Sequence, residues 1–193
     1  MLKDIFLIRH GQSTFNAHYE LHGTDPMHVD ARLTELGHRQ VAQAREALAG
    51  VTFDVVISSP LTRAIETALG IFGDADVPFE ITCRHRERLE SSCDVGRSPT
   101  HLARDFPKLA FDHLQDPWWH VGEADERGFA TEPLDVFEQR VANFAEWLMA
   151  RPERTIAVIG HGTFFRQLTG CWMANCEVMQ WHPSGVEAAL RRA

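Results

Sequence analysis

The sequence of 193 residues lacks any hydrophobic run of the length that crosses a membrane, and it lacks a regular cysteine framework. Its four cysteines, Cys83, Cys93, Cys171 and Cys176, form no Cys-x-x-Cys pair, which indicates reduced thiols rather than a disulfide scaffold. The apolar run that starts at Ile5 is too short for the core of a secretory signal peptide. We therefore expect a soluble protein that resides in the cytoplasm.

The chain also lacks an excess of positive charge. Its 19 lysines and arginines are outnumbered by 27 aspartates and glutamates, so the formal net charge is −8. We expect neither nucleic acid nor a membrane surface as a partner, because both are polyanionic. A small anionic molecule stays compatible with this charge, since a few arginines can dominate the potential of one pocket. Nothing in the sequence indicates an oligomeric state, and a homodimer is left open.

Three short apolar runs, residues 5–8, 55–57 and 156–159, are typical of strands buried on both faces of a sheet. Each run ends in a polar or glycine-containing turn, and a helical pattern follows it. The predicted helices run from an N-cap at Thr34 to about Ala49, from Ser59 with Pro60 in the first position, from Val136 to Met149, and onward from near Thr163. This alternation predicts an α/β fold, a three-layer sandwich with a mainly parallel sheet flanked by helices.

Residues 84–132 differ in character from the rest of the chain. They are rich in charge, proline and tryptophan, and their hydrophobic periodicity is weak. We interpret them as an insertion with one or two short helices that covers the carboxyl edge of the sheet, within a single domain of residues 1–193. Trp118 and Trp119 are expected to anchor this insertion to the core, and the alternative is that they cover a substrate.

Cationic side chains, imidazoles and glycines follow the three predicted strands. Ligands of parallel α/β sheets bind outside the carboxyl ends of the strands, so we expect these residues to meet in one crevice. Guanidinium groups match phosphate oxygens, and Gly11 and Gly162 allow backbone amides to approach a ligand. The sequence therefore predicts a phosphoryl-binding site with these side chains: Arg9, His10, Arg63 and His161.

An imidazole can also act as a nucleophile and form a covalent intermediate. Phosphoryl transfer to His10 would need stabilised charge on the phosphoryl oxygens and a carboxylic acid that protonates the leaving oxygen. The insertion contains three candidates for this acid, Glu87, Glu90 and Asp94.

Four segments resemble the signatures of the histidine phosphatase superfamily, in its phosphoglycerate-mutase-like branch. Residues 7–13 (LIRHGQS) with Asn16 resemble its first element, and residues 33–42 (LTELGHRQVA) resemble its LT-x-x-G-x-x-Q-A element, with the alanine one place late. Residues 58–68 (SSPLTRAIETA) and 159–162 (IGHG) are similar to its later elements. The segments occur in family order over nearly the whole chain.

The resemblance implies a metal-independent phosphatase that cleaves a small phosphomonoester through a phosphohistidine, without a cofactor. It implies His10 as the nucleophile, Glu90 as the acid with Asp94 as the alternative, and a phosphate pocket formed by Arg9, Asn16, Arg63, His161 and Gly162. The start of the Gln12–Ser13 turn is expected to add phosphate contacts. The usual Gly-x-Trp-x-Gly sequence after the acid is missing here.

Three other functions are compatible with the residues. A phosphoglycerate mutase could use the same scaffold, although mutases usually carry longer insertions. A non-catalytic protein could bind a phosphorylated ligand, but binding alone does not require a nucleophilic imidazole. A metal site is suggested by the 11 histidines, yet we interpret His18, His22 and His28 as irregularly spaced and expect no HxxH or HxxxH pair of ligands on one helix.

Overall fold

The computed structural model describes residues 3–182, which contain five strands and six α-helices. The strands are β1 (Asp4–Arg9), β2 (Val55–Ser58), β3 (Phe79–Ile81), β4 (Thr155–Gly160) and β5 (Val178–Trp181). The helices are α1 (Thr14–His22), α2 (Glu35–Ala47), α3 (Thr62–Phe72), α4 (Pro99–Asp105), α5 (Leu134–Ala150) and α6 (Gly162–Thr169). Within these residues, no helix combines the length and the apolar character that a membrane span requires.

The sheet has the strand order β3-β2-β4-β1-β5. The pairs β1–β4, β2–β4 and β2–β3 are parallel, and β5 is antiparallel to β1, which confirms the predicted mainly parallel sheet. Because β2, β4 and β1 are neighbours, the segments that follow them start side by side at one edge of the sheet.

Helices cover both faces of the sheet, as the three-layer prediction requires. On one face α5 and α6 bury large aromatic side chains such as Phe144 and Phe164 against β1, β2 and β4. On the other face α2 and α3 pack smaller residues, including Val41 and Ala64, against the same strands. Each large apolar side chain buried in this way contributes roughly 1.5–3 kcal/mol to folding.

Helix α2 begins where the sequence predicts. The Thr34 hydroxyl accepts a hydrogen bond from the amide of Gly37 at 3.0 Å and so caps the helix. The helix ends at Ala47, two residues before the predicted end. Leu36, which the helical pattern places on the buried face, is 40% exposed.

Helix α3 begins at Thr62, so the prediction of a cap at Ser59 with Pro60 in the first position is wrong. The cap comes instead from Asp30, whose carboxylate accepts from the amide of Thr62 at 2.7 Å and also from its hydroxyl. Arg97 holds the same carboxylate at 2.6 Å. A cap donated from a distant segment leaves no local signal in the sequence.

Helix α1 has no counterpart among the predicted elements. Ser13 caps it through a reciprocal capping box, in which its hydroxyl accepts from the Asn16 amide while Asn16 Oδ1 accepts from the Ser13 amide. The other two predicted helices are confirmed, since α5 contains residues 136–149 and α6 begins one residue before Thr163.

The insertion contains α4 and a short 3₁₀ turn at Ser92–Asp94, in agreement with the one or two short helices predicted there. Trp118 is buried in the apolar cluster of the insertion, and its Nε1 donates to the carbonyl oxygen of Arg97 at 2.9 Å. Trp119 packs edge-on against it with ring centroids 5.4 Å apart. Trp118 is therefore an anchor of the insertion, not an exposed cover.

Candidate active site

His10 directly follows β1, and its imidazole is almost fully buried. Its Nδ1 lies 2.7 Å from the carbonyl oxygen of Gly11, which can only accept, so Nδ1 carries the proton. The other nitrogen, Nε2, is therefore an acceptor, and Nε of Arg63 donates to it at 3.2 Å. The lone pair of Nε2 consequently faces the guanidinium group of Arg63.

Arg63 lies in the first turn of α3 and is 2% exposed. Its Nη2 donates to the Asp94 carboxylate at 2.9 Å, and its Nη1 donates to the carbonyl oxygen of Cys93. Burial acts to lower the pKa of Arg63, but the acidic groups of Cys93, Asp94 and Glu87 raise it overall. The guanidinium therefore stays charged beside the imidazole.

Arg9, the last residue of β1, is held by its Nη1, which donates to the carbonyl oxygen of Met173 at 2.7 Å. Its guanidinium lies 4.9 Å from the ring centroid of Trp172, a cation–π contact. A Cβ at Gly162 would come within 3.1 Å of Arg9 Nε, so glycine provides the space for this guanidinium. The Nε atom is buried and has no hydrogen-bond partner among the described residues.

His161 caps α6 at the carboxyl end of β4 and is fully buried. Its ring centroid lies 5.3 Å from that of His10, and its Nε2 lies 2.8 Å from the Ser59 hydroxyl. The Nδ1 atom has no partner among the described residues. The structure thus brings the two arginines and the two histidines together in one largely buried cluster.

Burial and two nearby cations keep both imidazoles neutral. Burial, followed by the charges of Arg63 and Arg9, holds the pKa of His10 well below its usual value of 6.5. Burial, followed by Arg63 and His10, does the same for the pKa of His161. A neutral His10 keeps the lone pair that a nucleophile requires.

Glu87 is the carboxylate that the structure adds to this cluster. It accepts hydrogen bonds from the amides of Thr163 and Phe164 at 2.9 and 3.0 Å, which places it at the N-terminus of α6 beside His161. Burial and the nearby Asp94 charge raise its pKa, against the opposing effect of its backbone hydrogen bonds. A carboxyl group with a raised pKa in a cleft is suited to general acid catalysis.

Asp94 is buried, and both of its carboxylate oxygens accept hydrogen bonds within the protein. One oxygen accepts from Arg63, and the other accepts from the amide of Ser91 at 3.1 Å. It therefore orients Arg63 rather than facing the imidazole directly. Its place next to the cluster follows from the 3₁₀ turn, which directs its side chain inward.

The structure does not bring Glu90 into the cluster, which corrects the sequence-based expectation. Its side chain is 45% exposed and forms an ion pair with Arg88 at 2.6 Å. The bonds from Glu87 to α6 could not be foreseen, because α6 lies far along the chain from this weakly patterned segment.

Asn16 lies in the first turn of α1, where its Oδ1 accepts from Ser13 and from Nδ2 of Asn175. The amide of Gln12 donates to Oε1 of Gln40 at 2.8 Å. The amides of Gln12 and Ser13 are thus already bonded within the protein, and the expected phosphate contacts of this turn are not supported.

Gly11 serves packing rather than ligand access. A Cβ at Gly11 would lie 2.8 Å from the carbonyl oxygen of Gly37, and a Cβ at Gly37 would lie 2.2 Å from that of Gln12. The amide of Gly11 donates to the Thr67 hydroxyl at 3.1 Å. The two glycines therefore allow α2 to contact the backbone that follows His10, which explains the element at residues 33–42.

Three surface histidines are close together, contrary to the irregular spacing assumed from the sequence. His18 and His22 lie four residues apart on α1 with ring centroids 4.4 Å apart, and His28 lies 6.2 Å from His18. Within residues 3–182, however, no group of three or more histidine, cysteine or acidic side chains has a geometry that could hold a metal ion.

Comparison with protein families gives a match to the model of the histidine phosphatase superfamily (branch 1) over residues 5–189. This range includes the four segments that carry the resemblance and every residue of the cluster described above.

Individual relatives agree with this match. The chain is 28% identical to a phosphoglycerate mutase-like protein 1 of Arabidopsis thaliana, over 84% of this chain and 69% of the relative. It is also 28% identical to a glucosyl-3-phosphoglycerate phosphatase of Mycolicibacterium vanbaalenii, over 87% and 73%. The solved structure of a mycobacterial glucosyl-3-phosphoglycerate phosphatase has the same fold, with a TM-score of 0.59, 22% identity and 92% coverage of both chains.

Proposed function

The chain belongs to the histidine phosphatase superfamily (branch 1), and on this premise we propose that it hydrolyses the phosphomonoester of a small metabolite through a phosphohistidine formed on His10. One observation carries the proposal: the unprotonated Nε2 of His10 lies against Arg63, in a buried cluster with Arg9 and His161. The similarity to a phosphatase of a phosphorylated glycoside supports a small phosphorylated substrate.

In the first step, His10 Nε2 forms a bond to phosphorus while the bond from phosphorus to the leaving oxygen breaks. The charge on the equatorial oxygens needs fixed cationic and hydrogen-bond donors. Arg63, Arg9 Nε and His161 Nδ1 are suited to this role, because the last two are buried and have no partner among the described residues.

Glu87 donates its proton to the leaving oxygen in that step, in place of the Glu90 expected from the sequence. In the second step the resulting carboxylate takes a proton from water, which attacks phosphorus and releases phosphate from His10. The support for Glu87 is its place at the N-terminus of α6 beside His161. Burial raises the pKa of Glu87 and of Asp94 alike, so the choice between them rests on position and not on the pKa. We assign Asp94 the role of holding Arg63.

The remaining expectations belong to the same proposal and stay predictions. They are a single domain, a cytoplasmic location, a reaction without metal or cofactor, and partners other than nucleic acid or membranes. The cations of the cluster can neutralise a phosphoryl group without a metal ion, which supports the third of these.

The test is to trap the intermediate. We expect labelled phosphate from a panel of phosphorylated metabolites to be found on His10 after quenching in base, where phosphohistidine is stable. His10→Ala should lower turnover by about 10⁴-fold or more, whereas replacement of the exposed His101 and treatment with EDTA should have no effect. If the His10 variant still released phosphate, or if phosphate bound without ever labelling His10, the mechanism would be wrong.

A further inference from the structure

A buried ion triad lies outside the catalytic cluster. The Glu132 carboxylate is fully buried and pairs with Arg86 at 2.9 Å and with Arg140 of α5 at 2.5 Å. A buried carboxylate is costly unless it is paired and hydrogen-bonded, so the triad needs both cations. None of these three residues contacts His10, Arg9 or Arg63 through a hydrogen bond or ion pair in the described part of the chain.

The triad is tied to the backbone that leads to Glu87. Nη1 of Arg140 donates to the carbonyl oxygens of Arg86 and Arg84, at 2.7 and 3.2 Å. Nη2 of Arg140 lies 3.4 Å from the carbonyl oxygen of Glu87. The amide of Glu132 donates to the carbonyl oxygen of Leu89 at 2.8 Å. Residues 84–89 are therefore held by α5 and by the segment just before it.

This segment is also held by the buried ring of His85, whose Nε2 lies 3.0 Å from the carbonyl oxygen of Ile159, and by the buried side chain of Leu89. It contains no helix or strand beyond the 3₁₀ turn at Cys83–His85, and a groove of about 1290 Å³ borders Cys83, Arg84 and Arg86. Its neighbouring arginines are also used separately, since Arg84 packs on Trp147 and Arg88 pairs with Glu90. Arg84, Arg86 and Arg88 are therefore each engaged by a different partner.

We propose that Glu132 and Arg140 are positioning residues for the general acid Glu87. They fix the backbone on either side of it, so that its carboxyl group stays at the N-terminus of α6 next to the phosphoryl site. This inference rests on the proposed function, in which Glu87 protonates the leaving oxygen. A displacement of about 1 Å in a catalytic group can cost on the order of 100-fold in rate.

The experiment compares two substrates of the same shape. Phenol needs a proton to leave, whereas p-nitrophenol leaves readily as the anion, so only phenyl phosphate depends strongly on the acid. We expect Arg140→Met to lower kcat/KM for phenyl phosphate by about tenfold or more, and for p-nitrophenyl phosphate by less than about twofold. The Glu132→Gln variant should show the same selectivity.

Arg151 offers a matched control at the other end of α5. It is as buried as Arg140, pairs with Glu153 and Glu80, and also packs on an aromatic ring, that of Trp147. In the described part of the chain it forms no hydrogen bond or ion pair with residues 84–89, although Arg84 packs on the same tryptophan. Arg151→Met should change the two substrates equally. An equal loss on both substrates in Arg140→Met would assign the triad a structural role only and overturn the proposal.

A double variant separates this inference from the proposed function. If Glu87→Gln alone shows no selectivity for phenyl phosphate, the assignment of the acid is wrong. If it does, Arg140→Met should add no further selectivity in the Glu87→Gln background, and an additive loss would contradict positioning through Glu87. Should Arg140→Met fail to fold, Arg140→Lys keeps the charge but loses the fork that reaches the carbonyl oxygens, and the same selectivity is expected.

Discussion

Burial raises the pKa of the Glu87 carboxyl group, and the charge of Asp94 raises it further, while hydrogen bonds from the amides of Thr163 and Arg88 oppose the shift. The amides at the N-terminus of α6 therefore favour the carboxylate form of Glu87, and they also fix the position of its carboxyl group when burial keeps it protonated. Burial raises the pKa of Asp94 as well, but the two carboxyl groups have different partners, since Asp94 pairs with Arg63 and Glu87 accepts from the amides of α6.

The pH dependence of the reaction should report on Glu87. Because its pKa is raised, the protonated acid persists above the usual range of a glutamate, and kcat/KM for phenyl phosphate should fall as the pH rises through that value. Glu87→Gln should remove this basic limb and lower kcat/KM by about 10²–10⁴-fold. The measurement is the pH profile of both proteins on phenyl phosphate.

Glu90→Gln is the control for this experiment. Its side chain is half-exposed and paired with Arg88, so the pH profile should stay as it is. A basic limb that survives in Glu87→Gln but disappears in Glu90→Gln would return the acid role to Glu90.

The sequence predicts the residues that end strands better than those in the insertion. Arg9 is the last residue of β1 and His161 directly follows β4, so the position of each is determined by a buried strand. Glu87 and Glu90 lie in a segment without periodicity, where the direction of a side chain depends on contacts with α5 and α6. Those contacts join parts of the chain far apart in sequence.

At the scale of elements, α3 depends on a cap from outside itself. The buried Asp30 satisfies the amide and hydroxyl of Thr62 and also pairs with Arg97. The residue after Thr62 is Arg63, so the same cap fixes the start of the helix that carries this arginine to His10.

Asp30→Ala should therefore destabilise the protein by about 2–4 kcal/mol, because it leaves a helix N-terminus uncapped and a partly buried Arg97 without this partner. Urea unfolding measures the change. Asp74→Ala is the control, since Asp74 also pairs with an arginine but is 79% exposed, and its loss should cost less than about 0.5 kcal/mol. A similar small cost for Asp30→Ala would refute the capping role.

Strand prediction succeeded where burial is complete and failed at the edges of the sheet. The strands β1, β2 and β4 contain continuous apolar runs because helices cover both faces. The edge strands β3 and β5 each contain only one buried residue, Ile81 and Trp181, and their short mixed sequences do not differ from a loop.

At the scale of the whole molecule, three histidines are buried without charge. Burial lowers the pKa of His10 and His161 well below 6.5, and it lowers that of His85 to about 3. The unfolded chain takes up protons on all three below about pH 6.5, whereas the native protein does not. Their contribution to stability is therefore complete above pH 6.5 and is lost as the pH falls toward the native values.

Below pH 6.5, each of these histidines should lower the free energy of unfolding by about 1.4 kcal/mol per pH unit. The variant His85→Gln keeps a donor for the carbonyl oxygen of Ile159. Between about pH 7.5 and 5, its free energy of unfolding should fall by about 2 kcal/mol less than that of the parent protein. Chemical denaturation at both pH values measures this difference. The exposed His101→Gln should follow the parent, and an unchanged pH slope in His85→Gln would show that His85 takes up its proton in the native state.

The hydrogen bond from Arg63 to His10 has a consequence for which electrophiles can react with the imidazole. The nitrogen that we propose as the nucleophile accepts a hydrogen bond from the guanidinium that we propose to hold the phosphoryl group. An anionic substrate can draw that guanidinium toward itself and so expose the nitrogen, whereas a neutral electrophile has no such pull. On the proposed mechanism, His10 Nε2 would therefore react only after an anionic group has displaced this hydrogen bond.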